Sequence, residues 1–290
     1  MQSMYLSEKY NRDFHFLWLG ATTREEARDG AVLHSPVNWF DLFDKNATQD
    51  FVANIHDAKY IRKLERLRNQ FPITEENLSN KNNFLHITNI PAQLKFSVPE
   101  FHINSPIYKK IFNQKLKLST EVASKSQKFL AKHFNKQSKI VGFHFRSGDI
   151  NEIDPDFRRY RDYKDTVKSI RKEVNLDIFD KIHIMCRNDD TAKAFTEAMQ
   201  NEFKDKEVFV FDDFYNAENY KIMDESNPKG GAFIHGNDKS VIDAMIQTII
   251  LSKCDFIVRC PAQSCLSTVA AAIGNVKFFN MKKAGQWHSS

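Results

Sequence analysis

No apolar run in this 290-residue chain approaches the roughly 18 residues that a membrane span requires. The first fifteen residues carry Glu8, Arg12 and Asp13 and lack the apolar core of a secretion signal. The expected setting is therefore cytoplasmic, and the sequons Asn46-Ala47-Thr48 and Asn77-Leu78-Ser79 carry no expectation of glycosylation. Also missing is any basic block interleaved with aromatics, as a nucleic-acid groove would want. The net charge of +5 comes from scattered Lys and Arg, which supports a mild attraction to anionic substrates and at most peripheral contact with an anionic membrane surface. None of the four cysteines, Cys186, Cys254, Cys260 and Cys265, forms a C-x-x-C pair, so they read as reduced residues in or beside buried strands. There is no internal repeat or low-complexity linker. Both G-x-G-x-x-G and G-x-x-x-x-G-K-[ST] are absent as well, so neither a dinucleotide fingerprint nor a phosphate loop of the Walker type is available.

What is present is an ordinary globular composition, 41% hydrophobic and 27% charged, in a chain long enough for two domains. The N-terminal part is weakly patterned: a strand candidate at 14–19, a helix over 57–70 and a strand at 84–87. From residue 119 the pattern sharpens. A Ser119-Thr120 cap opens a helix to 134, which runs into the strand Ile140 to Phe145. Helices at 162–174, 189–202, 239–252 and 265–273 then alternate with strands at 182–186, 208–211, 256–258 and 276–279. Alternation of this kind means βαβ units and a parallel sheet. The fold class is α/β, with domains at 1–135 and 136–290, the second a Rossmann-like parallel sheet with helices on both faces.

The chemistry collects where strands end. His144 and Arg146 are two apart at the end of the first of these strands, so in extended backbone they point to the same side. Gly148 and Asp149 then turn the chain away. The carboxyl ends of strands are where open α/β sheets bind ligands, and a guanidinium offers a planar fork suited to phosphate or carboxylate. Asp149, Glu152 and Asp154 follow as candidate bases. A second anion device lies at Arg259-Cys260-Pro261-Ala262-Gln263-Ser264-Cys265-Leu266-Ser267-Thr268, which passes from a buried strand into a helix whose first N–H groups and hydroxyls attract phosphate. If Arg146 faces the same crevice, the two form a diphosphate clamp.

The segment His144-Phe145-Arg146-Ser147-Gly148-Asp149, with Ser240-Val241-Ile242-Asp243 and the run from Ile250 to Ser264, resembles the conserved segments of GDP-fucose-dependent α1,6- and protein O-fucosyltransferases over about residues 110–280. The resemblance implies a GT-B-like fold with two Rossmann-like domains. It also implies an inverting, metal-independent glycosyltransferase that moves fucose from GDP-fucose to a hydroxyl of a GlcNAc-type glycan, in α1,6 linkage, with the acceptor met by the N-terminal half. On that resemblance Arg146 holds the β-phosphate and His144 contacts nucleotide or fucose, while Gln263, Ser264, Cys265 and Ser267 line the diphosphate. The family's acidic residue on the penultimate helix falls at Gln247, with Asp243 one turn earlier, so both are candidate donor contacts. Ser147 stands where some members carry a second basic residue. The expected partners are a GDP-sugar and an oligosaccharide acceptor, with no metal and no cofactor.

Other readings remain open. Asp154-Pro155-Asp156 and Asp212-Asp213 have the look of Mg²⁺ or Mn²⁺ ligands for a metal-dependent glycosyltransferase with another donor. Cys260 or Cys265 with His235 would suit a hydrolase. The same crevice could also bind a nucleotide sugar or glycan without turning it over.

Overall fold

The computed structural model describes residues 1–14, 39–51, 73–80, 95–145, 163–186, 190–215, 239–260 and 265–281. Five parallel strands form one sheet: β1 (Ile140–Phe145), β2 (Lys181–Met185), β3 (Glu207–Val210), β4 (Phe256–Cys260) and β5 (Lys277–Asn280), in the order β3-β2-β1-β4-β5. Among the described residues, three helices of eight residues or more precede it, α1 (Gln2–Lys9), α2 (Pro106–Lys115) and α3 (Thr120–His133), with short helical turns at 39–42, 45–48 and 75–79. Four are interleaved with it, α4 (Tyr163–Glu173), α5 (Asp190–Glu202), α6 (Lys239–Leu251) and α7 (Cys265–Gly274). From α3 onward every element falls within two residues of the range the sequence predicts.

All six residues of β1 are buried, as expected of a parallel strand covered on both faces. Side chains alternate along each strand and so feed two separate cores. Ile140, Met185, Phe209, Ile257 and Phe278 pack with residues of α3, α6 and α7. Val141, Phe143, Phe145, Ile182, Ile184 and Val258 pack with Val167 and Ile170 of α4 and Ala192, Phe195 and Met199 of α5. Gly142 belongs to the first face, and its lack of a side chain is required there. A Cβ would stand 2.5 Å from Leu251 Cδ1 and 2.7 Å from Cys254 Sγ, so only glycine lets the end of α6 lie on the central strand.

The early part of the chain shares this first core. Met4, Leu42, Phe43 and Ile111 belong to it, α3 packs on α6, and α2 packs on α7. Ser119 fastens these parts together: its N–H donates to the Leu42 carbonyl at 2.9 Å, its hydroxyl donates to the Asp41 carbonyl at 2.7 Å, and its Oγ accepts from Val122 N–H at 3.3 Å. The predicted cap is thus also a stitch across the sequence. A smaller cluster joins Leu6, Ile73, Leu78 and Val98. Residues 15–19, 57–70 and 84–87, on which the expected second Rossmann-like domain rests, lie outside the described residues. Among the described residues no helix is long and apolar enough to cross a membrane.

From β1 the chain proceeds to β2 and β3 on one side, then returns past β1 to β4 and β5 on the other. The switch in direction therefore falls between β1 and β4, and their carboxyl ends flank the crevice where such sheets bind ligands.

Candidate functional site

The register of β1 on β4 pairs Phe145 with Cys260 and His144 with Arg259. Neighbouring strands stand about 4.8 Å apart, so the two motif-bearing segments, 146–154 and 261–264, leave the sheet from adjacent strand ends. Arg146, Asp149, Glu152, Asp154, Gln263 and Ser264 themselves lie outside the described residues. Cys265 is the first residue of α7, and its side chain is likewise outside them. Of the predicted donor-side residues, His144, Asp243, Gln247 and Ser267 are described, and all four are buried.

His144, Arg259 and Asn280 lie level across β1, β4 and β5. Strand alternation puts His144 on the side of Gly142, the face covered by α6 and α7. Arg259, 7% exposed, holds this corner together. Its Nε donates to Ser267 Oγ at 3.0 Å, Nη1 to Asn280 Oδ1 at 3.0 Å and Nη2 to Thr268 Oγ1 at 2.7 Å. The guanidinium carbon also lies 5.3 Å from the centre of the Phe278 ring. One side chain thus ties the end of β4 to β5 and to the first turns of α7. Ser267 is fully buried, with its Oγ engaged by Arg259. Sequence reasoning quoted Arg259 within its motif but gave it no role. The available signal was a charged residue inside an otherwise apolar, sheet-forming run, Phe256-Ile257-Val258-Arg259-Cys260.

On α6 the two polar candidates hold backbone. Gln247 Oε1 accepts from Cys186 N–H at 3.2 Å, just past β2. The Asp243 carboxylate accepts from Tyr215 N–H at 3.1 and 3.4 Å, just past β3. Burial pushes the Asp243 pKa up to about 6, against the opposing effects of the Tyr215 amide and the Lys125 charge. Lys125 of α3 lies 3.4 Å from the centre of the Tyr215 ring and donates to the Asp213 carbonyl at 2.9 Å. The Tyr215 hydroxyl bonds Glu121, and the phenol is raised by burial first and then by that carboxylate. Helices α3 and α6 therefore clamp the chain as it leaves β3.

The rival residues are engaged elsewhere. Asp213 is 3.5 Å from Lys125 and 3.9 Å from Lys128, and Asp212 is 3.6 Å from Lys132, so three ammonium groups already balance this pair of carboxylates. Among the described residues no three His, Cys, Asp or Glu side chains gather as a metal site; Asp154 and Asp156 lie outside them. Cys260 is 1% exposed and its thiol is pushed up by burial, with Sγ 2.8 Å from Met281 Sδ. A thiol held neutral is a poor nucleophile. Cys186 and Cys254 are buried cysteines outside any disulfide among the described residues, as the sequence suggests.

No protein-family model and no curated protein matches the chain. Solved structures do. The chain is similar to NodZ alpha-1,6-fucosyltransferase soaked with GDP-fucose at 16% identity, covering 81% of this chain and 66% of that one, with a TM-score of 0.45. It is similar to fucosyltransferase NodZ from Bradyrhizobium at 16% identity over 62% of this chain and 49% of that one, with a TM-score of 0.39. A third is POFUT1 in complex with GDP, at 9% identity over 97% and 92%, with a TM-score of 0.42. The chain spans about half the length of the Bradyrhizobium NodZ structure it matches.

Proposed function

We propose that this protein is an inverting, metal-independent glycosyltransferase that moves fucose from GDP-fucose to a hydroxyl of a GlcNAc-type oligosaccharide, in α1,6 linkage. Residues 136–290 bind the donor. Residues 1–135 meet the acceptor and supply the second half of a GT-B-like pair of domains. The observation that carries this reading is the pairing of Phe145 with Cys260 at the switch point, because it roots the His144-to-Asp149 motif and the 261–268 motif side by side at one crevice. The resemblance of those motifs to the fucosyltransferase segments supplies the substrate.

In this reading Arg146 and the N–H groups opening α7 grip the diphosphate, and His144 supports the nucleotide or fucose from beneath. Asp154 takes the proton from the acceptor hydroxyl, with Asp149 and Glu152 next in line. The freed oxygen pair bonds to the anomeric carbon from the face opposite the diphosphate, while the carbon–oxygen bond to GDP breaks and its electrons leave with the phosphate. Charge growing on GDP is stabilised by donors already in place, which is the largest single contribution in most transfers of this kind. Arg259 acts one step back, keeping Ser267 and Thr268, and with them the start of α7, in position. Gln263, Ser264 and Cys265 line the phosphates.

A second reading, a binder of GDP-sugar without turnover, is favoured by Gln247 and Asp243, both of which hold backbone amides. One experiment separates the two. GDP-fucose binds, and a GlcNAc-terminated acceptor then releases GDP in the presence of EDTA; binding without release selects the second reading. Arg146→Ala abolishes GDP binding and lowers the transfer rate on the order of 10²-fold or more, the scale of losing one preorganised donor. Unchanged affinity in that variant removes the diphosphate assignment.

A further inference from the structure

In a parallel sheet every turn from helix to strand emerges at the amino ends of the strands, the pole opposite the crevice. Here these turns are at 134–139, 174–180, 203–206, 252–255 and 275–276. Four of them carry or adjoin exposed lysines: Lys136 and Lys139, Lys204, Lys253, and Lys277 at the start of β5. Among the described residues none of these five ammonium groups is in an ion pair. The remaining turn carries Ile178, 58% exposed and the most exposed large hydrophobic residue among those described.

Ile178 is held outward by a fastened turn. Leu176 and Phe179 on either side of it are buried in the α4–α5 core. Phe179 N–H donates to the Leu176 carbonyl at 3.0 Å and Asp180 N–H to the Lys139 carbonyl at 2.8 Å, while Lys206 Nζ donates to the Phe179 carbonyl at 2.9 Å. An aliphatic side chain fixed in water gains free energy wherever an apolar medium covers it. The carboxylates of this pole are mostly engaged. Glu207 lies 2.8 Å from Lys181 and Asp205 3.5 Å from Lys206, and Asp180 and Asp255 each accept at 2.7 Å, from Lys139 N–H and Ile140 N–H. With Asp177 there are five carboxylates against seven lysines, so the charge left to project is positive. It is spread over separate turns around one aliphatic tip, which suits a film of anionic headgroups better than a single acidic segment. Lysine stems can lie along such a surface with the ammonium groups at phosphate level, while the isoleucine enters the acyl boundary.

We propose that the amino pole of the sheet docks on an anionic lipid surface, with Ile178 inserted at the headgroup boundary and the crevice turned toward water. This rests on the topology of the sheet and not on what the crevice binds.

The test is co-sedimentation of the full chain with phosphatidylcholine vesicles, with and without phosphatidylserine. The protein binds the vesicles that contain phosphatidylserine, and raised salt releases it. The triple variant Lys139→Ala, Lys204→Ala, Lys253→Ala partitions on the order of 10²-fold more weakly, from about fivefold per lysine. Ile178→Ser weakens partitioning severalfold. A second triple variant, Lys109→Ala, Lys110→Ala, Lys128→Ala, removes as much charge from α2 and α3 and weakens it far less. All these variants keep the wild-type melting temperature. The proposal is overturned if neither vesicle binds, if the two triple variants lose affinity equally, or if Ile178→Ser binds as tightly as wild type. Capture by polyglutamate without vesicle binding would give the pole to an acidic protein and overturn it as well.

Discussion

The two faces of the sheet are built from the same strands and differ in kind. On the side of α4 and α5 the buried layer is apolar, with Thr166 the one polar residue buried there among those described. On the side of α3, α6 and α7 the buried set includes His144, His183, Asp243, Gln247, Thr248, Arg259 and Ser267. Both faces bury an apolar layer, but burying polar groups costs stability unless they find partners, so the second face adds to its core a set of polar groups, several of them held by hydrogen bonds. A substitution on the first should damage folding alone, and one on the second should change charge or ligand binding.

The largest effect belongs to the apolar face. Phe195 is fully buried and stacks on Phe145 with centroids 4.0 Å apart. Phe195→Ala costs about 3–5 kcal/mol, measured by urea unfolding, while the remaining folded protein binds GDP as wild type does. Reduced affinity per folded molecule would erase the contrast between the faces. Next comes Gly142→Ala, where the Cβ meets Leu251 and Cys254. Over-packing there costs about 1–3 kcal/mol. Because the displaced helix is α6, this variant should also weaken GDP binding.

A third effect is visible only against pH, and both groups behind it belong to the polar face. His183 is packed by Phe129, Phe134 and Phe209. Burial lowers its pKa from 6.5 to about 3, the Phe209 backbone opposing slightly. The unfolded chain therefore takes up this proton first, and stability falls as pH drops below 6.5. Asp243 behaves oppositely. Raised from 3.8 to about 6, it binds its proton first in the folded state, and stability rises as pH drops through 6. Between pH 6 and 4 the two slopes oppose each other, each limited to about 1.4 kcal/mol per pH unit. Relative to wild type, His183→Phe should gain stability toward acid and Asp243→Asn should lose it, by thermal unfolding at several pH values. Parallel curves for all three proteins would refute the assignment. The smallest effect is at the exposed Arg171–Glu202 pair joining α4 to α5. Such pairs contribute little, and Arg171→Ala should leave the melting temperature unchanged.

The alternation of strands and helices from Ser119 to Asn280 was readable because each strand is a short β-branched or aromatic run and each helix repeats apolar residues at helical spacing. The strand order was not, since nothing local in Phe145 names Cys260 as its neighbour. The site divides the same way. Residue type and position marked His144, and the family resemblance marked Asp243 and Gln247, but what the latter two hold was hidden. Asp243 serves an amide 28 residues away and Gln247 one 61 residues away, and such partners exist only once the sheet is assembled. Arg259 was legible as a charge in an apolar strand, whereas its three acceptors come from β5 and from two successive hydroxyls of α7.

The first strand of this sheet stands in its middle. Ile140 N–H donates at 2.7 Å to Asp255 across 115 residues of chain, and β4 closes the side of β1 that β2 leaves bare. During synthesis, then, β1, β2 and β3 can pair while β1 still presents an open edge to the surroundings. Such an edge invites association with other chains. The interval before β4 emerges is when this protein is most exposed to misassembly, and a ribosome-stalled chain ending before residue 255 should depend on chaperones far more than the complete one.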